Sequence, residues 1–391
     1  MVVMTVTIII TFSVLLLFAY LFDLTASKTK VPAVILLLLL GWIVRQLVLF
    51  FNIVLPNFSS ILPVFGTIGL VLIVLEGSLE LELNRSKIGL IKKSFLGALV
   101  PLFVLAFSLA FLFYHFEGAS FKLGLLNAIP LCIISSAIAI PSVRNLRPAE
   151  KEFVIYESSL SDILGVLFFN FIALHERIGV FSFVHFGFQI VIIVVVSFFA
   201  TIGLSILLNK IEHHIKFIPI ILLITLIYAT SKLYHLPGLL FVLLFGLFIN
   251  NVDELSHIKW MKKLKPQELD KEVHRLKVIT VEATFLVRAL FFLLFGFMID
   301  TSEILNTDTL LWALVIVVFI VILRIFQLKV SKLPLKPLVF IAPRGLITIL
   351  LFLSIESSQN ISLVSKPLIT QVIILTAFLM MIGLMIPDSK K

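Results

Sequence analysis

Two carboxylates stand in a stretch of the chain that is otherwise apolar. The segment Tyr156-Glu157-Ser158-Ser159-Leu160-Ser161-Asp162-Ile163-Leu164-Gly165 lies inside a run from Phe153 to Leu174 with no other acidic or basic residue. A carboxylate near a bilayer midplane is costly and is rarely kept there without a partner or a task. Such a group can hold a proton or a small cation. If it holds one at a time and faces each side of a membrane in turn, exchange follows. On a helix, Glu157 and Asp162 project about 140° apart, so the spacing gives them separate neighbours.

The elements that must position these groups follow from composition. The chain has 391 residues, of which 60% are hydrophobic and 14% charged, and its mean hydropathy is +1.19. A soluble chain of this size could not hide that much apolar surface, so the fold class is an all-α polytopic membrane protein. About 13 transmembrane helices are predicted, near 4–24, 31–50, 61–80, 94–114, 123–143, 152–174, 183–208, 216–234, 236–250, 278–299, 309–327, 335–355 and 363–387. The first reads as a retained span because no basic stretch precedes it. The net charge of +9 does not point to nucleic acid, because the basic residues sit in short connections between apolar runs. Cys132 is the single cysteine, which excludes a disulfide framework. No soluble domain and no Gly-rich phosphate loop is read, so an ion gradient is the expected energy source and no cofactor is implied. The 251–277 connection is the longest and is the one stretch that reads as a surface helix.

Alternate connections carry nearly all the loop lysines and arginines, among them Lys28, Lys30, Lys92, Lys93, Arg144, Arg147, Lys336, Lys390 and Lys391. The opposite connections hold only Lys122, Arg177, Lys232 and Lys366. Short cytoplasmic loops are the basic ones, so the N-terminus is expected outside and the C-terminus inside.

Depth then follows at about 1.5 Å per helical residue. Glu157 falls about 9 Å from the inner face, Asp162 about 16 Å and Arg344 about 12 Å, with Ser135 and Ser136 at about 12–14 Å. Three spans thus bring polar groups to one layer. Asp162 is the expected ion carboxylate, and the hydroxyls of Ser135, Ser136 and Ser161 with freed carbonyls would complete a hard-oxygen site for Na+. A hydrogen-bonded structural carboxylate is the competing reading. Glu157 and Arg344 share a depth and could pair across the chain, with Arg288 and Arg324 as rival partners. Glu76 either lines a cytoplasmic funnel or snorkels to the interface. His213, His214, His257 and His274 are loop residues with no visible partner. Pro141 breaks the inner half of the fifth span and Pro343 lies beside Arg344 in the twelfth. With a first repeat near 1–174, a linking span near 183–208 and a second repeat near 216–387, these two breaks occupy corresponding positions. Broken helices so placed point to a transporter's binding site.

On these residues the chain resembles the cation–proton antiporters of the sodium/proton exchanger superfamily, and most closely the electroneutral branch. Leu75-Glu76-Gly77-Ser78-Leu79 looks like the family's acidic-Gly signature in the third span. Ser135-Ser136-Ala137-Ile138 lies where the family has Thr-Asp-Pro-Val, and Glu157 to Asp162 matches Glu-Ser-x-x-Asn-Asp. Pro343-Arg344-Gly345 matches Leu-Arg-Gly, and Phe291 to Asp300 resembles the tenth-span pattern. The resemblance implies inverted repeats with crossing broken helices, exchange of Na+ (or K+, Li+) for H+, and a homodimer. Two departures stand out: Ser161 replaces the usual Asn and Ser136 the usual Asp. They leave a second reading, an exchanger-fold protein that is channel-like, sensory or inactive in transport because its ion site is depleted. A membrane enzyme is weaker, since the one histidine within a span, His185, stands alone.

Overall fold

The structure is a computed structural model that describes residues 2–53, 61–82, 85–175, 178–211, 216–252 and 266–386. The described chain is helical throughout. In order the helices are α1 (Val2–Thr29), α2 (Ala33–Phe50), α3 (Leu62–Glu80), α4 (Ile88–Glu117), α5 (Phe121–Cys132), α6 (Ser136–Ser142), α7 (Pro148–Leu174) and α8 (Val180–Lys210). They continue as α9 (Phe217–Leu233), α10 (Gly238–Asn250), α11 (Pro266–Phe297), α12 (Thr301–Ile304), α13 (Thr307–Val330), α14 (Leu346–Ser354) and α15 (Lys366–Met385). Among the described residues ten helical stretches are long and apolar enough to cross a membrane, with α5 and α6 counted as one, and α9 and α10 are shorter apolar helices. The broken twelfth segment, a 3-10 turn at Leu338–Phe340 followed by extended chain and α14, brings the total to the thirteen expected.

Two packed groups result. Helices α4, α5, α6, α7, α13, α14 and α15 pack on one another, while α11 and α10 gather α1, α2, α3, α8 and α9. The α2–α11 seam is very close, because a Cβ on Gly41 would lie 2.2 Å from the Leu293 carbonyl oxygen, and one on Gly296 would lie 2.3 Å from that of Leu38. Small residues let helix backbones touch where no hydrophobic force drives association. Helix α3 bridges the groups, touching α10 and α11 on one side and α7 and α14 on the other.

Two sequence expectations change here. The 251–277 connection is shorter than it reads, because α11 starts at Pro266 and runs without a break into the tenth span. Leu269, Val273 and Leu276 recur at helical spacing and are buried, so the charged stretch packs as a continuation of that span. His213, His214 and His257 lie outside the described residues, and His274 is exposed on α11.

Candidate functional site

The fifth span breaks at Ile133–Ser135 and not at Pro141. Ile133 and Ser135 have extended backbone, and α6 begins at Ser136. Pro141 sits in the last turn of α6, where the helix is ending anyway. What opens the helix is a set of partners from other segments. The Ile134 amide donates to the Ser161 hydroxyl (2.9 Å), the Ser135 amide to the Pro343 carbonyl (2.8 Å) and the Ser136 amide to Asp162 Oδ2 (3.3 Å). Three successive amides that a continuous helix would satisfy internally are thus held by α7 and by the twelfth segment. Irregular backbone at membrane depth survives only with such replacements.

The twelfth segment answers in kind. The 3-10 turn ends at Phe340, residues 341–345 run extended, and α14 starts at Leu346. A Cβ on Gly345 would lie 2.8 Å from Ser135 Oγ and 2.7 Å from Ile138 Cδ1, so the crossing needs glycine there for space.

Two arginines serve the freed carbonyls. Arg344 Nε donates to the Leu131 carbonyl (2.7 Å) and its Nη1 to that of Ala342 (3.1 Å). Arg324 donates to the carbonyls of Leu338 and Ile341, both at 3.1 Å. Each cation lies where a helical stretch ends and presents its carbonyl dipoles, the favourable end for positive charge.

This geometry corrects the Glu157–Arg344 pairing. Glu157 Oε1 accepts instead from Arg324 Nη1 and from Gln327 Nε2, and Gln327 Oε1 in turn accepts from Arg324 (2.9 Å). The error came from treating the twelfth span as a helix. Its extended residues rise about 3.3 Å each, which carries Arg344 to roughly 20 Å and past Glu157. Arg324, six residues before the end of α13, lies about 9 Å in, level with Glu157. It is 2% exposed inside α13. The sequence signal for it was available, a lone Arg in an apolar run three residues from a Gln.

Asp162 is buried at the crossing. Its Oδ2 takes both the amide and the hydroxyl of Ser136, while Oδ1 has no partner. The hydroxyls of Ser135, Ser159 and Thr348 are likewise buried with no hydrogen bond. They belong to the segments that meet here, and Ser159 and Thr348 are two that sequence reasoning missed. Their signal was spacing: Ser159 lies one turn before Asp162, and Thr348 one turn after Gly345. Ser161 does a different task from the one foreseen, since its hydroxyl holds the Ile134 amide.

A cavity of about 20 Å³ reaches α6 beside Ser136, lined by Ala137, Ile138, Pro141, Ser142, Asp23 and Arg288. Asp23 faces Arg144 (3.3 Å) and Arg288 (3.8 Å). Glu76 is half-buried on α3, with Arg288, Thr284 and Arg144 in its field. At the far end of α2 and α11, Arg45 pairs with Asp300, and Lys366 with Glu303 (2.9 Å).

Two interrupted spans crossing over a buried carboxylate, within a polytopic helical bundle, define a membrane transporter. The chain matches the family of the sodium/hydrogen exchanger transmembrane region over residues 13–387, and it belongs to that family. Its members are cation/proton antiporters and not enzymes. Two structures of the sodium proton antiporter MjNhaP1 from Methanocaldococcus jannaschii share the fold at 19% identity. One, at pH 8, has a TM-score of 0.62 and pairs 96% of this chain with 95% of that one. The other, from electron microscopy, has a TM-score of 0.67 and pairs 96% with 94%. No curated protein matches the chain in sequence.

Proposed function

We propose that this chain is a secondary antiporter exchanging a monovalent cation, Na+ ahead of K+ or Li+, for H+ by alternating access, with Asp162 holding either ion. One observation carries the reading. Asp162 Oδ1 is buried and unpartnered, in a place where Oδ2 is fully engaged by Ser136. An unpaired carboxylate oxygen in a low-dielectric interior is expensive unless something binds there. A proton satisfies it directly. A cation would satisfy it together with neutral oxygens, and Ser135, Ser159 and Thr348 carry buried, unbonded hydroxyls on the segments that meet here, that of Ser159 beside Gly77 of α3. Ser136 enters through its hydroxyl oxygen, whose lone pairs remain open while its proton points to Oδ2.

One charge is exchanged for another on a single carboxylate, which supports one-for-one stoichiometry. The cavity beside α6 would be the inner approach, with Glu76 and Asp23 offsetting Arg288 along it. The basic connections support a cytoplasmic C-terminus in a cell membrane. A homodimer rests on the family resemblance. The depleted-site alternative keeps one point in its favour, because Ser161 is committed to the Ile134 amide and contributes no unengaged hydroxyl.

The test is purified protein in liposomes with a trapped pH dye. An imposed Na+ gradient should drive a pH change, and Asp162→Asn should abolish it while the protein still elutes as a folded species. Exchange that persists in Asp162→Asn would overturn the assignment, and its absence in the native chain for Na+, K+ and Li+ alike would favour the transport-inactive alternative.

A further inference from the structure

A second cavity adjoins the small one beside α6, sharing Pro32, Pro141 and Ser142 with it, and is chemically wrong for a cation. It measures about 210 Å³ and is bounded by the turn after α1, the α6–α7 turn and the chain entering the twelfth segment. Its polar lining is Lys30, Ser142, Arg144, Asn145, Arg147, Glu150 and Lys336. Four basic groups against Glu150, with Asp23 paired to Arg144 beside them, leave a net charge of about +2 at the cavity. Lys30, Arg144, Arg147 and Lys336 are exposed to it or to solvent, whereas Glu150 is buried. A cavity lined mostly by one sign of charge concentrates the opposite ion.

We propose that this cavity binds a phosphate-bearing anion, supplied either by the headgroup of an anionic lipid or as free phosphate. Size fits: the space equals about seven water volumes at roughly 30 Å³ each, enough for a phosphate with the first atoms of an ester. Donor chemistry fits as well. Arg144 spends one nitrogen on Asp23 at 3.3 Å, and a guanidinium fork has further N–H groups for a second oxyanion. Lys30, which follows α1, and Lys336, which precedes the twelfth segment's turn, add mobile point charges. Placement fits a lipid, because these residues belong to the basic connections, and basic pockets between spans on that face take anionic headgroups. The site does not depend on the exchange reading. It does join the two packed groups, since Lys30 follows α1 while Arg144 and Arg147 lie in the α6–α7 turn and Lys336 precedes the 3-10 turn of the twelfth segment.

The experiment is thermal unfolding of the full chain in neutral detergent, in two arms at constant ionic strength. One titrates inorganic phosphate against chloride; the other titrates phosphatidylglycerol against phosphatidylcholine in mixed micelles. A saturable rise in apparent Tm with at least one probe is expected. In the Lys30→Gln/Lys336→Gln protein the half-saturating concentration should rise roughly thirtyfold, from two lost basic contacts. Either single substitution should show a smaller shift in the same direction, which keeps the test open if the pair unfolds. The Lys92→Gln/Lys93→Gln protein, altered on the exposed start of α4, should titrate as the native chain. A phosphate response identifies the free anion as sufficient; a response to phosphatidylglycerol alone identifies the headgroup. No response to either probe, or an equal shift in the Lys92/Lys93 control, overturns the proposal.

Discussion

Glu157 and Arg324 form the most buried ion pair among the described residues, their side chains 1% and 3% exposed. The pair joins α7 to α13, and Arg324 passes the connection on to the carbonyls of Leu338 and Ile341. A helix of the first half is thereby tied to the start of the broken segment in the second. Removing one partner from such a pair typically costs about 3–5 kcal/mol, whereas an apolar replacement of both costs far less. Glu157→Leu and Arg324→Leu should therefore each lower stability by about that amount. The double variant should cost no more than either single one, so it falls short of their sum by at least about 3 kcal/mol. Unfolding in mixed micelles measures the cycle. Additivity within about 0.5 kcal/mol would show that the two charges do not depend on each other.

Ser161→Ala removes the acceptor for the Ile134 amide and leaves a buried donor unpaired. The expected loss is about 1–3 kcal/mol. Ser161→Thr keeps the hydroxyl and should lose less. Equal thermal stability of the alanine variant and the native protein would mean the break in the fifth span does not need this bond.

Gly345→Ala drives a methyl group into Ser135 Oγ and Ile138 Cδ1. Its exchange rate should fall at least about tenfold, as small misplacements at a site do. Ile138→Val deletes Cδ1 and should restore part of the rate in the Gly345→Ala background. A double variant no faster than Gly345→Ala would place the damage elsewhere.

A single carboxylate shared by proton and cation predicts a competition. At pH low enough that the empty site is mostly protonated, the apparent KM for the cation should rise about tenfold per unit fall in pH, levelling off at higher pH, because one proton displaces one cation. Maximal rate at saturating cation should change much less. Initial rates in liposomes across pH measure both. An apparent KM independent of pH would separate the proton site from the cation site.

How much of this was legible depends on what each inference required. Thirteen apolar segments and the basic bias of alternate connections follow from local composition, but α11 starts early at Pro266, the fifth span is split into α5 and α6, and the twelfth is α-helical only from Leu346 onward. Asp162 and Ser136 were also found as neighbours-to-be, since both sit near mid-depth in spans with unusual polarity. Arg324 stands among the rival partners of Glu157 but ranks behind Arg344 as long as depth is taken as 1.5 Å per residue through a segment that is extended. Pro141 drew the eye as a helix breaker, yet the break lies where side chains and a carbonyl from distant segments compete for three amides. Proline is a local signal; those competitors are tertiary. Ser159 and Thr348 were passed over for a similar reason, as hydroxyls are common in helices and only their unpaired burial marks them.

The amide of Ser135 rests on the carbonyl of Pro343, about two hundred positions later in the chain. Synthesis at about 5–20 residues per second separates the two by some 10–40 seconds. Through that interval the fifth span has been made and its partner has not. An interrupted helix in lipid without its replacement bonds is costly, so the nascent span must stay continuous or remain sheltered until the twelfth arrives. The crossing is therefore a late event in assembly, made only once Pro343 has followed the fifth span into the membrane.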